Sequence, residues 1–147
     1  MKSTFFAERV AASDEEWGRL VLFGSIEEMK GSPYLMFQGS YEHSAQDVAL
    51  GQDKPYVEIG NQGWSWYGHM EHVVLERGRL SLQMSEEAKS QMQNDGHFLV
   101  EFTLDEGAFV QLRDKMRQIF ANSSVFRSNS AYPFRQADAL ARLMSNV

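Results

Sequence analysis

The chain of 147 residues has the length of one domain, and its 43% apolar and 23% charged residues are ordinary values for a globular protein. It contains no cysteine, which excludes disulfides, thiolate metal sites and a cysteine nucleophile and favours a cytoplasmic location. The net charge of −6 argues against nucleic acid binding, which depends on neutralised phosphates.

The charge is unevenly spread along the chain. Residues 1–106 carry 18 acidic and 8 basic side chains, whereas residues 107–147 carry 2 acidic and 6 basic ones. An acidic body favours encounter with a basic partner, although a merely solvated surface has the same composition. No apolar run approaches the roughly 20 residues that span a bilayer, and residues 1–9 lack the apolar core of a signal peptide. We therefore expect no membrane association.

Seven segments have the alternating, β-branched or aromatic pattern of strands. We predict strands at residues 5–10, 17–23, 34–38, 56–59, 66–75, 80–84 and 97–103. Segment 34–38 is apolar on both faces, which is typical of a central strand. Arg77-Gly78 predicts a tight turn that joins two of the strands into a hairpin. The polar segment 40–54 is predicted to be a long loop, and such loops are often functional.

Three helices are predicted. Ser85 is an N-cap for a short helix that ends at Asn94-Asp95-Gly96, and Asp105 is an N-cap for a helix over residues 106–120. The second helix has one apolar stripe at helical spacing, formed by Phe109, Leu112, Met116, Ile119 and Phe120. After a Ser/Asn-rich linker at 122–130, Pro133 begins a final helix.

These elements predict an α+β fold. We expect a twisted, mainly antiparallel sheet of six or seven strands, with the 106–120 helix packed on one face because its apolar stripe needs a cover. An extra helix follows at the C-terminus. Residues 1–121 are assigned to a sheet/helix domain, and residues 122–147 to a linker and helical extension of the same domain.

The chain shows no set of residues suited to catalysis. His69, Glu71 and His72 lie in a predicted strand, where positions three apart face opposite sides, so they do not form a metal site. The glycines at 60, 63 and 68 do not have dinucleotide-binding spacing, and no serine lies in a nucleophile elbow. We expect no catalytic, cofactor-binding or metal-binding residues.

The aromatic cluster of Trp64, Trp66 and Tyr67 has two interpretations. The rings either pack in the core or over the sheet edge, or they anchor a partner, since tryptophan and tyrosine are enriched at binding hot spots. Base stacking is disfavoured because residues 1–106 supply no basic groove.

Several motifs in this order resemble immunity protein family ten of bacterial polymorphic-toxin systems. The motifs are Tyr34-Leu35-Met36-Phe37-Gln38, Asp47-Val48 with Gly51 and Asp53, Tyr56-Val57-Glu58-Ile59, Gln62 and Ser65 with Tyr67-Gly68, and Leu75 with Leu80-Ser81-Leu82. The resemblance covers about residues 5–121. It implies a small cytoplasmic protein that binds and neutralises a toxin encoded beside it, with no catalysis and no cofactor. The family pattern has a second glycine after Tyr67-Gly68, where this chain has His69.

The resulting hypothesis is an immunity protein that blocks a cognate toxin without covalent chemistry. The candidate partner-binding residues are acidic positions of the long loop and aromatic positions after it: Glu42, Asp47, Asp53, Trp64 and Trp66. Tyr67 and Gly68 are expected to hold the turn geometry.

Two rival functions stay open at this point. One is a homo-oligomeric scaffold or regulatory subunit that dimerises through the last helix. The other is a small-ligand binder or enzyme with a pocket between sheet and helix around His97, Glu101 and Tyr67.

Overall fold

The computed structural model describes residues 3–24, 32–60 and 64–129. Its strands are β1 (Ser3–Phe6), β2 (Arg9–Asp14), β3 (Gly18–Gly24), β4 (Leu35–Ser40), β5 (Tyr56–Ile59), β6 (Trp64–Tyr67), β7 (Met70–Glu76), β8 (Arg79–Met84), β9 (His97–Glu101) and β10 (Phe126–Ser128). Its helices are α1 (Ala45–Ala49), α2 (Glu86–Met92) and α3 (Glu106–Ile119). The final helix expected from Pro133, and with it the expected dimer contact, lies outside the described residues.

The strands are divided between two sheets of five. The first sheet has the order β2-β3-β4-β5-β6 and is antiparallel throughout. The second sheet has the order β1-β9-β8-β7-β10, and its outer strands β1 and β10 run parallel to their neighbours. The α+β class, the mainly antiparallel pairing and the central place of β4 confirm the predictions. The strands were expected in one sheet of six or seven, whereas the structure has two sheets of five strands each.

The chain passes from one sheet to the other at two places. The sequence pattern predicted one continuous strand at each of them. The predicted strand 5–10 is split at the buried Ala7 into β1 and β2. The predicted strand 66–75 is split into β6 and β7 at Gly68 and His69, whose φ angles are 74° and 61°. Two consecutive left-handed residues end a strand, since that conformation is far from the extended one. Glycine adopts this conformation most easily, and His69 adopts it although it carries a side chain.

The core lies between the inner face of the first sheet, the second sheet and α3. The predicted apolar stripe of α3 is buried, and α3 packs against β2, β3 and β4. Gly39 permits this close approach, because a Cβ atom there would lie 3.3 Å from the Cα atom of Ile119. Three ring contacts connect the layers: Phe23–Phe102 at 5.5 Å, Phe37–Phe120 at 5.8 Å and Phe120–Phe126 at 5.6 Å between centroids. The last contact includes β10, which lies within the segment expected to be a linker.

The turn between β7 and β8 is attached to the start of α3 by Arg77. Its guanidinium group lies 4.9 Å from the centroid of the Phe109 ring and donates a hydrogen bond of 3.0 Å to the Leu104 carbonyl. It also forms an ion pair of 3.1 Å with Glu106 in the first turn of α3. These contacts set where α3 begins relative to the second sheet.

Two alanine substitutions test whether the crossing requires a left-handed backbone. Gly68→Ala should lower the free energy of unfolding by about 1–2 kcal/mol, because a Cβ atom disfavours positive φ. Gly107→Ala, in the first turn of α3, should raise it by up to about 1 kcal/mol, because alanine is the better helix former and the site has space. Urea denaturation of both variants measures the two effects. Equal stabilities of the two variants would contradict the role assigned to Gly68.

Candidate partner-binding surface

Residues 41–55 leave the first sheet after β4, carry α1 and return to β5. The predicted long loop therefore contains a short helix, and no residue of that helix is buried. The Asp47 N–H donates to the Ser44 hydroxyl oxygen (3.0 Å), and the Ser44 N–H donates to the Asp47 carboxylate (2.9 Å). This reciprocal capping box supplies hydrogen-bond partners to backbone N–H groups at the start of α1 without tertiary packing. The Ser-x-x-Asp spacing is the sequence signal that would have predicted α1.

Large apolar side chains are unusually exposed on and beside α1. Val48 is 55% exposed and Leu50 is 60% exposed, and the rings of Tyr41 and Tyr67 are 44% and 42% exposed. Leu50 and Tyr67 line one groove, and the Tyr67 ring contacts the Tyr56 ring at 5.1 Å between centroids. We call residues 41–53 together with Tyr67 the α1 surface. Clustered exposed apolar groups are typical of interaction sites.

The three acidic residues predicted to bind a partner all lie on the α1 surface. Glu42 is exposed before the helix, and Asp53 lies on the wall of an adjoining cleft. Asp47 is on α1, where its carboxylate completes the capping box. The Ser44 backbone N–H, and after it the Ser44 hydroxyl, lower the pKa of Asp47. Asp47 therefore also supports the local fold of the helix.

The two predicted tryptophans are half-buried on β6. Their rings pack against the core, whereas Ser65 and Tyr67 between and after them point outward. Trp66 also lines the groove that holds Leu50 and Tyr67, so one edge of its ring adjoins the α1 surface. Tyr67 was considered as a partner anchor with the two tryptophans but was expected to hold the turn geometry, and its ring is the most exposed of the three. The alternation of Trp64–Tyr67 predicts two faces but does not tell which of them is buried.

A cleft of about 530 Å³ lies beside the α1 surface, between the ends of β3 to β5, the crossing at Gly68 and the C-terminal end of α3. Its lining includes side chains of both charges, among them Arg19, Asp53 and Lys54. The Arg19 guanidinium group stacks on the Tyr41 ring at 5.0 Å from the centroid. No group of three or more metal-ligating His, Asp or Glu side chains occurs in residues 3–24, 32–60 and 64–129.

The ligand pocket considered around His97, Glu101 and Tyr67 is not formed. His97 and Glu101 alternate with the buried Phe98 and Val100 on β9, so they face outward from the second sheet. Tyr67 faces outward from the first sheet. The three side chains belong to outward faces of different sheets and do not converge on one cavity.

The capping box of α1 should depend on pH. The pKa of Asp47 is lowered in the folded helix, so its capping contribution is complete at neutral pH and is lost as the pH falls through that pKa, below the usual 3.8. Amide exchange of Val48, Leu50 and Gln52, corrected for the intrinsic rate at each pH, should accelerate in acid. Ser44→Ala should accelerate it about fivefold at neutral pH. The amides of α3 are the internal control, and equal acceleration there would contradict a local role.

The family model described as immunity protein 10 matches residues 6–110, which include both sheets up to the first turn of α3, apart from part of β1 and β10. No curated protein matches the chain, and no solved structure matches it. The described helices are too short and too polar to cross a membrane. The matched segment is well over half of the chain, and this chain therefore belongs to the immunity protein 10 family.

Proposed function

We propose that this protein is an immunity protein that binds a cognate bacterial toxin domain in the cytoplasm and blocks it without covalent chemistry. The family match over residues 6–110 is the observation that carries the proposal. The α1 surface lies entirely within that matched segment. The proposed action needs no catalytic residue, cofactor or metal ion.

The exposed apolar side chains of the α1 surface would supply most of the affinity. Burying a Val or Leu side chain stabilises a complex by about 1.5–3 kcal/mol, and Val48 and Leu50 are both more than half exposed in the free protein. Tyr41 and Tyr67 add two rings of a type enriched at hot spots. The accessible edge of Trp66, which lines the groove beside Leu50 and Tyr67, extends this apolar part to β6.

The acidic side chains of the same surface would act mainly on the rate of association. An exposed ion pair contributes at most about 1 kcal/mol, so Glu42, Asp47 and Asp53 add less affinity than the apolar groups. They would instead steer a basic toxin surface towards the binding site. A basic toxin domain is the partner that the net charge of −6 and these three carboxylates favour.

Charge reversal tests the steering role. Asp53→Lys and Glu42→Lys should each slow association with the cognate toxin domain by about 3- to 10-fold at low ionic strength, and less at high salt. Glu71→Lys, at an exposed position on β7 of the second sheet, is the matched control and should leave the rate unchanged. Stopped-flow association measurements distinguish the variants. Equal rates for Asp53→Lys and Glu71→Lys would reject the role of the α1 surface charges.

Removal of an apolar side chain should affect dissociation. Leu50→Ala should speed dissociation about 10-fold, because it removes contact area from the complex and changes no charge. Its folding stability should stay close to that of the unchanged protein, since Leu50 is 60% exposed. Surface plasmon resonance measures the dissociation rate, and co-expression with the active toxin domain measures protection of growth. An unchanged dissociation rate would exclude Leu50 from the interface.

A further inference from the structure

The outer face of the first sheet carries more apolar and aromatic side chains than a solvated sheet face needs. The outer face is the face opposite α3, and its side chains alternate along each strand with the buried ones. It includes Leu20, Leu22, Met36, Gln38, Tyr56 and Glu58, all of them half-buried. Cross-strand pairing places Leu22, Met36 and Glu58 in one row across β3, β4 and β5. A carboxylate therefore stands at the end of an apolar row.

Two tyrosines hold that carboxylate in place. The Tyr56 hydroxyl donates to one oxygen of Glu58 at 2.7 Å, and the Tyr34 hydroxyl donates to the other oxygen. The Tyr34 ring lies directly on Gly60, where a Cβ atom would come within 1.9 Å of the ring. The absence of a side chain at Gly60 thus allows the ring position that aims the Tyr34 hydroxyl at Glu58.

The cluster is arranged to donate hydrogen bonds rather than to transfer protons. The hydrogen bond to Glu58, with burial, raises the pKa of Tyr34 to about 12. Burial raises the pKa of Tyr56, and Glu58 adds to this effect while Ser65 opposes it. Both phenols therefore keep their protons at neutral pH. Their role is to orient Glu58.

The oriented carboxylate has unused capacity for a cation. A carboxylate accepts about four hydrogen bonds, and the two tyrosines supply two of them. No Lys or Arg of the described ranges forms an ion pair with Glu58. An arginine side chain donates two parallel hydrogen bonds to a carboxylate, and its planar group stacks on tyrosine rings. Tyr56 offers such a ring beside Glu58, and the Tyr67 ring contacts that of Tyr56.

The outer face is continuous with the α1 surface. Gln38, Tyr56 and Tyr67 line the same narrow gap as His43 and Gln52 of residues 41–53. A stable complex buries about 800 Å² on each partner, which is more than a helix of five residues presents. The two surfaces together form one larger area on the same side of the molecule.

We infer that the outer face of the first sheet is the centre of the toxin interface and that Glu58 receives an arginine side chain from a basic toxin domain. This inference rests on the proposed function and specifies the partner's chemistry at that site. Glu58 is oriented before binding, so little additional ordering of its side chain is required when the arginine arrives.

The test uses an inactivated form of the cognate toxin domain, defined as the one whose toxicity this protein relieves on co-expression, with affinity measured by isothermal titration calorimetry. Glu58→Gln should weaken binding about 10- to 100-fold, because it removes the charge and keeps the size. Tyr34→Phe should weaken it by a smaller factor, about 2- to 5-fold, because the ring stays on Gly60 and only the orienting hydroxyl is lost. Glu71→Gln, an exposed Glu→Gln change on the second sheet, should bind like the unchanged protein.

The outcomes separate the inference from the function on which it rests. If the unchanged protein binds and Glu58→Gln binds equally well, the inference is overturned and the proposed function stands. If the unchanged protein does not bind, both are overturned. Should Glu58→Gln fail to fold by circular dichroism, the Tyr34→Phe variant decides. An affinity of Tyr34→Phe equal to that of the unchanged protein would then overturn the inference.

Discussion

The architecture depends on one backbone constraint, the pair of left-handed residues at Gly68 and His69. A strand cannot continue through two such residues, so the chain leaves the first sheet after β6 and enters the second with β7. Each sheet then buries one face in the common core, and α3 completes the cover of the first sheet's inner face. The outer face of the first sheet and the α1 surface are left on the other side. The fold thereby uses one side of the first sheet for the core and leaves the other side for the proposed contact with a partner.

This division has an energetic consequence. The core contains apolar side chains, and no polar or charged residue of the described ranges is fully buried. Polar contacts instead fix the positions of single elements. The contacts of Arg77 fix the start of α3, and the capping box of Ser44 fixes the first turn of α1. Substitutions on the α1 surface remove little buried area from the free protein, so they should alter binding more than folding. In the proposed function, this separation lets the contact surface change while the core remains the same.

Sequence patterns predicted the elements better than their arrangement. Alternating, β-branched or aromatic segments located β3, β4, β5, β8 and β9, and N-caps with apolar spacing located α2 and α3, because these signals are local. The sequence predicted one sheet and not two, because periodicity identifies a strand but does not identify the strand with which it pairs. Phe126–Ser128 is too short and polar to be recognised, and it forms β10 through pairing with β7. Among the candidate contacts, the three acidic residues lie on one surface because a single loop carries them. Trp64 and Trp66 instead face the core, because the pairing of β6 with β5 turns them to that side. The role inferred for Glu58 depends on Tyr34, which is 24 positions away in the sequence.

The central claim is that one side of the first sheet, from α1 to Glu58, forms the contact with a basic toxin domain. A crystal structure of the complex with the proposed cognate toxin domain is the most direct measurement. We expect Leu50, Tyr67 and Glu58 to be covered in that complex, with an arginine guanidinium group against the Glu58 carboxylate. A toxin seated on α3 or on the second sheet, with the outer face still open to solvent, would contradict the account.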